Sequence, residues 1–293
     1  MDQEMFANLG YSSTNRSYSA GVCKIDFAET GVGDRVVIKQ AKDNPRNPYI
    51  HIASARALQR EIEVLQQYQS ERPKMPIPLV FDACMDSPYL ITEEITGVPV
   101  TKWLGPKPAL WKIIFSSRET SRALAALHKK GLAHRDVHSS NFIISATKTY
   151  GFNVLPIDFA TAATIEDIKQ GKAINHDSPF YAPERMTFDY QKDPNPCADD
   201  VYAVGMDLLC TITGTNYLEF RDPNGMIAYH KVYLKLAEAT RTGGPLDNDL
   251  GLLVSTMTDI DRHNRPSMEE AVIALDILLE AYFSEFVQAF LID

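Results

Sequence analysis

Apolar and polar positions along the chain fall into two regimes. Over the first hundred residues, short β-rich runs at 17–27, 34–40, 78–84 and 89–94 alternate with turns and predict strands. One helix interrupts them, over residues 52–69, where Ala57, Ile62, Leu65 and Tyr68 fall on one face at mostly three- and four-residue steps. After Gly97 the character changes. Residues 109–130, 200–214, 226–241, 246–258 and 267–290 all read as helices, several ended by Gly or Pro. The last of these carries Tyr282, Phe283, Phe286 and Phe290, which read as core packing. Residues 43–48, with two prolines among polar neighbours, predict a turn and not a linker. The chain holds no internal repeat and no low-complexity tract. The pattern is α+β: a small sheet-rich part, then a larger helical one.

Composition narrows the picture without changing it. A chain of 293 residues suits one large domain or two lobes sharing a cleft. Hydrophobic residues at 45% and charged residues at 23% allow a sizeable core without disulfides or metals. Cys23, Cys84, Cys197 and Cys210 are scattered, with neither a C-x-x-C pair nor zinc-finger spacing, and read as reduced thiols. The amino terminus lacks the basic region and apolar run of a signal peptide, and no stretch approaches a membrane span, so a cytoplasmic protein is expected. A formal net charge of -9 argues against a broad surface for nucleic acid or anionic lipid.

Four groups carry the candidate chemistry. In the segment His134-Arg135-Asp136-Val137-His138-Ser139-Ser140-Asn141, Asp136 and Asn141 stand five residues apart. Asp158 follows the apolar run Asn153-Val154-Leu155-Pro156-Ile157, a candidate short strand. Lys39 ends Val36-Val37-Ile38, and Glu61 lies on the predicted helix. Any one of these alone reads equally well as a cap or a solvated charge. Together and in this order they resemble the protein kinases, whose catalytic loop is H-R-D-x-x-x-x-N, whose metal-binding motif is D-F-G and whose lysine strand is V-A-I-K.

The resemblance covers nearly the whole chain and implies a two-lobed protein-kinase fold, residues 1–293 as one domain, with an N-lobe to about 95 and a C-lobe from about 96. It implies ATP and Mg2+ as cofactors, Asp136 as the acceptor of the substrate proton, Lys39 on the phosphates with Glu61 as its partner, and Asn141 and Asp158 as magnesium ligands. Glu63 lies roughly 200° further round the helix, so it and Glu61 cannot face the same way. The run Tyr89 to Ile95 resembles the hinge that reads the adenine edge, with Thr92 as gatekeeper and Glu93 and Ile95 beside it. Downstream, Ala182-Pro183-Glu184 resembles the end of the activation segment, and Asp200, Glu184 and Arg265 resemble the family's scaffold, the last two as a buried bidentate pair.

The pattern is broken in three places. The family's phosphate loop is G-x-G-x-x-G, and the preferred match, Leu9-Gly10-Tyr11-Ser12-Ser13-Thr14-Asn15, keeps only Gly10. There Gly10, Ser12 and Asn15 are the expected nucleotide contacts, and weaker ATP binding is expected. A rival match puts Gly21 third, without the earlier glycines. Ala160 replaces the glycine of D-F-G. His138 stands where Ser/Thr protein kinases place a lysine, and small-molecule kinases place a histidine; a phosphate contact and a structural imidazole are both open.

The expectation is a Ser/Thr-type protein kinase with a protein substrate, monomeric by default. Thr161, Thr164 and Ser178 are candidate activation-segment phosphosites opposite Arg135. The alternatives are a pseudokinase acting as a binding module, favoured by the glycine-poor loop and Ala160, and a small-molecule kinase, favoured by His138.

Overall fold

The computed structural model describes residues 10–20, 23–42, 48–146, 152–174, 180–220 and 245–291, with single positions between 222 and 238. Two compact units emerge. One holds the described residues up to Thr96 together with Ile157–Ala162; the other holds Gly97–Pro156 and the described residues from Ala163 onward.

The first unit is built on a five-stranded antiparallel sheet in the order β1-β2-β3-β5-β4. The strands are β1 (Tyr11–Ala20), β2 (Cys23–Thr30), β3 (Arg35–Ala41), β4 (Val80–Cys84) and β5 (Tyr89–Glu93). The β-rich run at 17–27 is therefore parts of two strands, since Ser17 pairs with Asp26 and Ala20 with Cys23 in antiparallel register. The period-two alternation of β3 puts Val36 and Ile38 into a cluster with Ala28 and Ile91, with Tyr11 and Tyr89 packed against it. Lys39 takes the other face. Between β3 and β4 runs helix α1 (Pro48–Tyr68), four residues longer at its start than the pattern predicts. Its apolar face of Leu58, Ile62, Leu65 and Tyr68 is buried, with Ala57 at the margin.

The second unit has a three-stranded antiparallel sheet, β6 (Val98–Pro99), β7 (Phe142–Ala146) and β8 (Phe152–Pro156). Gly97 leads into it with φ 154, and a Cβ there would meet the Ile144 carbonyl oxygen at 2.4 Å, so only glycine fits. The helices are α2 (Val100–Leu104), α3 (Leu110–His128), α4 (Ile165–Lys169), α5 (Pro196–Thr213), α6 (Pro245–Met257) and α7 (Met268–Leu291). The predicted helix over 226–241 falls mostly outside the described residues. Helix α5 is the axis of this unit: Asn195 caps it by accepting from the Ala198 amide, Gly214 ends it in the left-handed region, and Val201, Tyr202, Val204, Met206, Leu208 and Leu209 are all buried. Gly205 lets α6 come close, because a Cβ there would lie 2.8 Å from Met257 Cβ. The four cysteines are free thiols, each partly buried. Among the described residues no helix is long and apolar enough to cross a membrane.

Candidate active site

In the first unit, the strand that ends in Lys39 and the helix that carries Glu61 bring the two side chains together. Lys39 Nζ lies 2.6 Å from Glu61 Oε1, with the side chains only 14% and 4% exposed. Burial works to lower the lysine's pKa, but the carboxylates of Glu61 and Asp158 outweigh it and the net shift is upward, so Lys39 stays charged. Glu61 also accepts from the Phe159 amide at 3.3 Å, fastening the Asp158-Phe159-Ala160 motif to α1. Arg60 adds a second fastening by donating through Nε and Nη2 to the Ala162 carbonyl, at 3.2 and 3.1 Å. Glu63, its side chain 52% exposed, faces away and pairs with Arg60. Asp158 takes φ 66, a left-handed conformation unfavourable for a residue with a Cβ. Strain of this kind persists where the surroundings dictate the geometry.

The residues expected to hold the adenine are set by β5. Thr92 is buried between Val37 of β3 and Val80 of β4. The Glu93 side chain is engaged structurally, accepting from Arg72 Nη2 at 2.7 Å and from the Leu79 amide at 2.9 Å. The Glu93 amide donates to the Leu79 carbonyl at 2.9 Å, which leaves the Glu93 carbonyl to face a base. The Glu94 amide is spent on the Arg35 carbonyl at 2.8 Å, whereas the Ile95 amide donates to no group among the described residues.

Strand register sets Gly10 and Ser12, two of the expected phosphate-loop residues, apart from Lys39. Ser12 pairs with Glu29, which pairs with Arg35, while Lys39 pairs with Ile25. Ser12 is thus displaced from Lys39 by four residues along β3, roughly 13 Å at the usual strand rise. Gly10, with φ 78, precedes Tyr11 and sits further still. Asn15 lies in the irregular part of β1 between Ser13 and Ser17, and its side chain is outside the described residues. What reaches the Lys39 end of the sheet is Cys23, whose thiol is pushed up to about 11 by burial and feels Lys39, Glu61 and Asp158. The rival Gly21 lies between Ala20 and Cys23, outside the described residues.

In the second unit, the catalytic-loop segment is held from α5. Asp200 accepts from the amides of His134 and Arg135 at 2.8 and 2.7 Å and from His128 Nε2 at 2.9 Å. Burial opposes a charged His128, but the bond to Asp200 prevails and raises its pKa to about 10. Arg135 is forced to φ 65. Asn141 donates through Nδ2 to the Asp136 carbonyl at 2.9 Å and to Asp136 Oδ2 at 3.0 Å, which aims the carboxylate. His138 Nε2 is 3.7 Å from the same oxygen. The expected Glu184–Arg265 pair is present and bidentate, at 2.6 and 2.8 Å. The candidate phosphosites fare differently: Thr161 is buried, Thr164 is the N-cap of α4 in a reciprocal box with Asp167, and Ser178 is outside the described residues.

Two anchors escaped the sequence reading. His128 and Asp207 both hold the catalytic loop or its partners, and the only signal was a charge inside the apolar run of α5 at Met206-Asp207-Leu208.

The side chains fit the implied cofactors taken unit by unit. Asp158 in the first unit and Asn141 in the second each offer a hard oxygen of the kind Mg2+ takes, and Mg2+ is ordinarily held by one or two carboxylates plus phosphates. Among the described residues no group of three His, Cys, Asp or Glu could hold a metal ion. A lysine kept charged beside two carboxylates suits a polyphosphate.

Comparison with known proteins gives the class. The sequence pattern described as the protein kinase domain matches residues 20–274, and the chain belongs to that family, with its two-lobed α+β fold. Among individual relatives, serine/threonine-protein kinase ssp1 of Schizosaccharomyces pombe is 26% identical over 198 residues, 64% of this chain and 30% of that protein. Serine/threonine-protein kinase PknB of Mycobacterium tuberculosis is 29% identical over 157 residues, 52% of this chain and 22% of that protein. The EKC/KEOPS complex subunit BUD32 of Chaetomium globosum is 30% identical over 138 residues, 41% of this chain and 49% of that protein. The matched regions thus span less than a third of the two kinases' length.

Proposed function

We propose that the chain is an ATP- and Mg2+-dependent protein kinase that phosphorylates Ser/Thr hydroxyls of a protein substrate. The observation that carries this reading is the Lys39–Glu61 pair at 2.6 Å, tied through Glu61 to the Asp158 motif. A buried ion pair is expensive to desolvate, and this one holds a charged lysine beside the Asp158 motif, which favours catalysis over a binding module.

In this reading Lys39 binds the α- and β-phosphates, and Asn141 and Asp158 would hold Mg2+, which would supply positive charge to offset that of the phosphates. Asp136 takes the proton of the acceptor hydroxyl as its oxygen bonds to the γ-phosphorus and the bond to the bridging oxygen breaks, releasing ADP. The backbone at Glu93 and Ile95 reads the adenine beside Thr92. The two sequence matches to a phosphate loop, at Gly10 and at Gly21, each keep a single glycine, so weaker nucleotide binding is expected with either. The preference for Ser/Thr follows from the similarity to the serine/threonine-protein kinases ssp1 and PknB. His138 supports a second reading, a kinase for a small hydroxylated metabolite.

Incubation with γ-labelled ATP and Mg2+, with generic protein substrates or small alcohols, tests both beside an Asp136→Ala variant. Label on protein that vanishes in the variant is the expected result. Label on a small alcohol alone moves the assignment to the second reading, and equal label in the variant overturns the role of Asp136.

A further inference from the structure

Helix α5 carries two carboxylates that point at the catalytic loop, seven residues and about two turns apart, hence on one face. Asp200 holds the entrance of the loop through the amides of His134 and Arg135. Asp207 holds its far end. It accepts from the Ser139 amide at 3.3 Å through Oδ1 and from the Ser139 hydroxyl through Oδ2. With both oxygens engaged, the carboxylate has a fixed orientation. Ser139 opens the 3-10 turn Ser139–Asn141, closed by the Asn141 amide on the His138 carbonyl at 2.8 Å. Asn141 then bonds Asp136 twice. Asp136 therefore sits between two clamps that share one rigid helix.

Asp207 is a poor choice for stability alone. Burial pushes its carboxyl up, against the Ser139 bonds and the field of His138, so the fold disfavours the ionised form. It also borders a small pocket with Ser116, Ser117, Thr120, Val137 and His138. Charges that violate a local rule are kept where they serve a site.

We propose that Asp207 is a positioning residue for phosphoryl transfer, fixing through Ser139 the turn that carries Asn141 and, through Asn141, the carboxylate of Asp136. This rests on the protein-kinase reading. The test uses the full chain as wild type, Asp136→Ala, Asp207→Ala, Ser139→Ala, Ser139→Thr and the Asp207→Ala/Ser139→Ala double variant, measuring kcat, KM for ATP and thermal midpoint. Asp207→Ala and Ser139→Ala should each lower kcat by roughly 10–100-fold, as removal of an orienting partner does, with KM little changed. The double variant should be no worse than the weaker single, because both break one link, and Ser139→Thr should recover kcat. Wild-type kcat in Asp207→Ala or Ser139→Ala, losses that multiply in the double variant, or losses that follow the thermal midpoint would each overturn the proposal. An active wild type with an unaffected Asp207→Ala refutes this inference alone; a wild type that transfers no label overturns the kinase reading with it.

Discussion

Replacing Glu61 by Gln is the most informative single change in the first unit. The substitution preserves size and keeps an oxygen for the Phe159 amide, but removes the charge that Lys39 Nζ meets at 2.6 Å. Both side chains are largely withdrawn from water, so screening is weak. Breaking a buried ion pair by removing one partner typically costs about 3–5 kcal/mol. Gln still accepts a hydrogen bond, and Asp158 still acts on Lys39, so the lower end, about 3 kcal/mol, is the reasonable expectation. If that loss falls on the aim of Lys39 at the phosphates, at 1.36 kcal/mol per decade it lowers kcat/KM for ATP by about a hundredfold. Steady-state kinetics with varied ATP and a generic protein substrate measure it. The control is Glu63→Gln, two residues on, whose side chain is half-exposed and turned away; it should stay close to wild type, since exposed pairs contribute about 1 kcal/mol or less. Equal losses in the two variants, or a Glu61→Gln enzyme of wild-type efficiency, would refute the reasoning.

Two further expectations concern stability. Arg265→Ala strands Glu184 and removes donors to the Asp259 and Ala198 carbonyls, and should destabilise the second unit by about 3–5 kcal/mol in urea unfolding; a loss under about 1 kcal/mol would show the pair to be dispensable. His128 has a folded pKa raised to about 10, so its contribution is complete below the unfolded value of about 6.5 and is lost as pH rises through 10. Unfolding free energy should fall between pH 7 and 10 in the wild type and fall less in His128→Gln; parallel pH profiles for the two proteins would rule the linkage out.

Local signals determined much of this protein. Periodicity alone placed α1, α3, α5, α6 and α7 within a few residues of their observed ends, because an apolar face at helical spacing has one way to be buried. Motif order singled out Lys39, Glu61, Asp136, Asn141 and Asp158; helical geometry said only that Glu61 and Glu63 could not face the same way, and the resemblance chose Glu61. Tertiary structure decided what depends on register and on distant partners. Gly10 looked like a phosphate loop because a glycine in sequence carries no information about which rung of a sheet it occupies; the pairing of Ser12 with Glu29 sets it four residues along from Lys39's rung. Thr161 and Thr164 read as accessible hydroxyls until burial and capping claimed them. Asp207 was one acid in an apolar helix until the fold set Ser139 against it, since a side chain's partner 68 residues away exists only once both segments are packed.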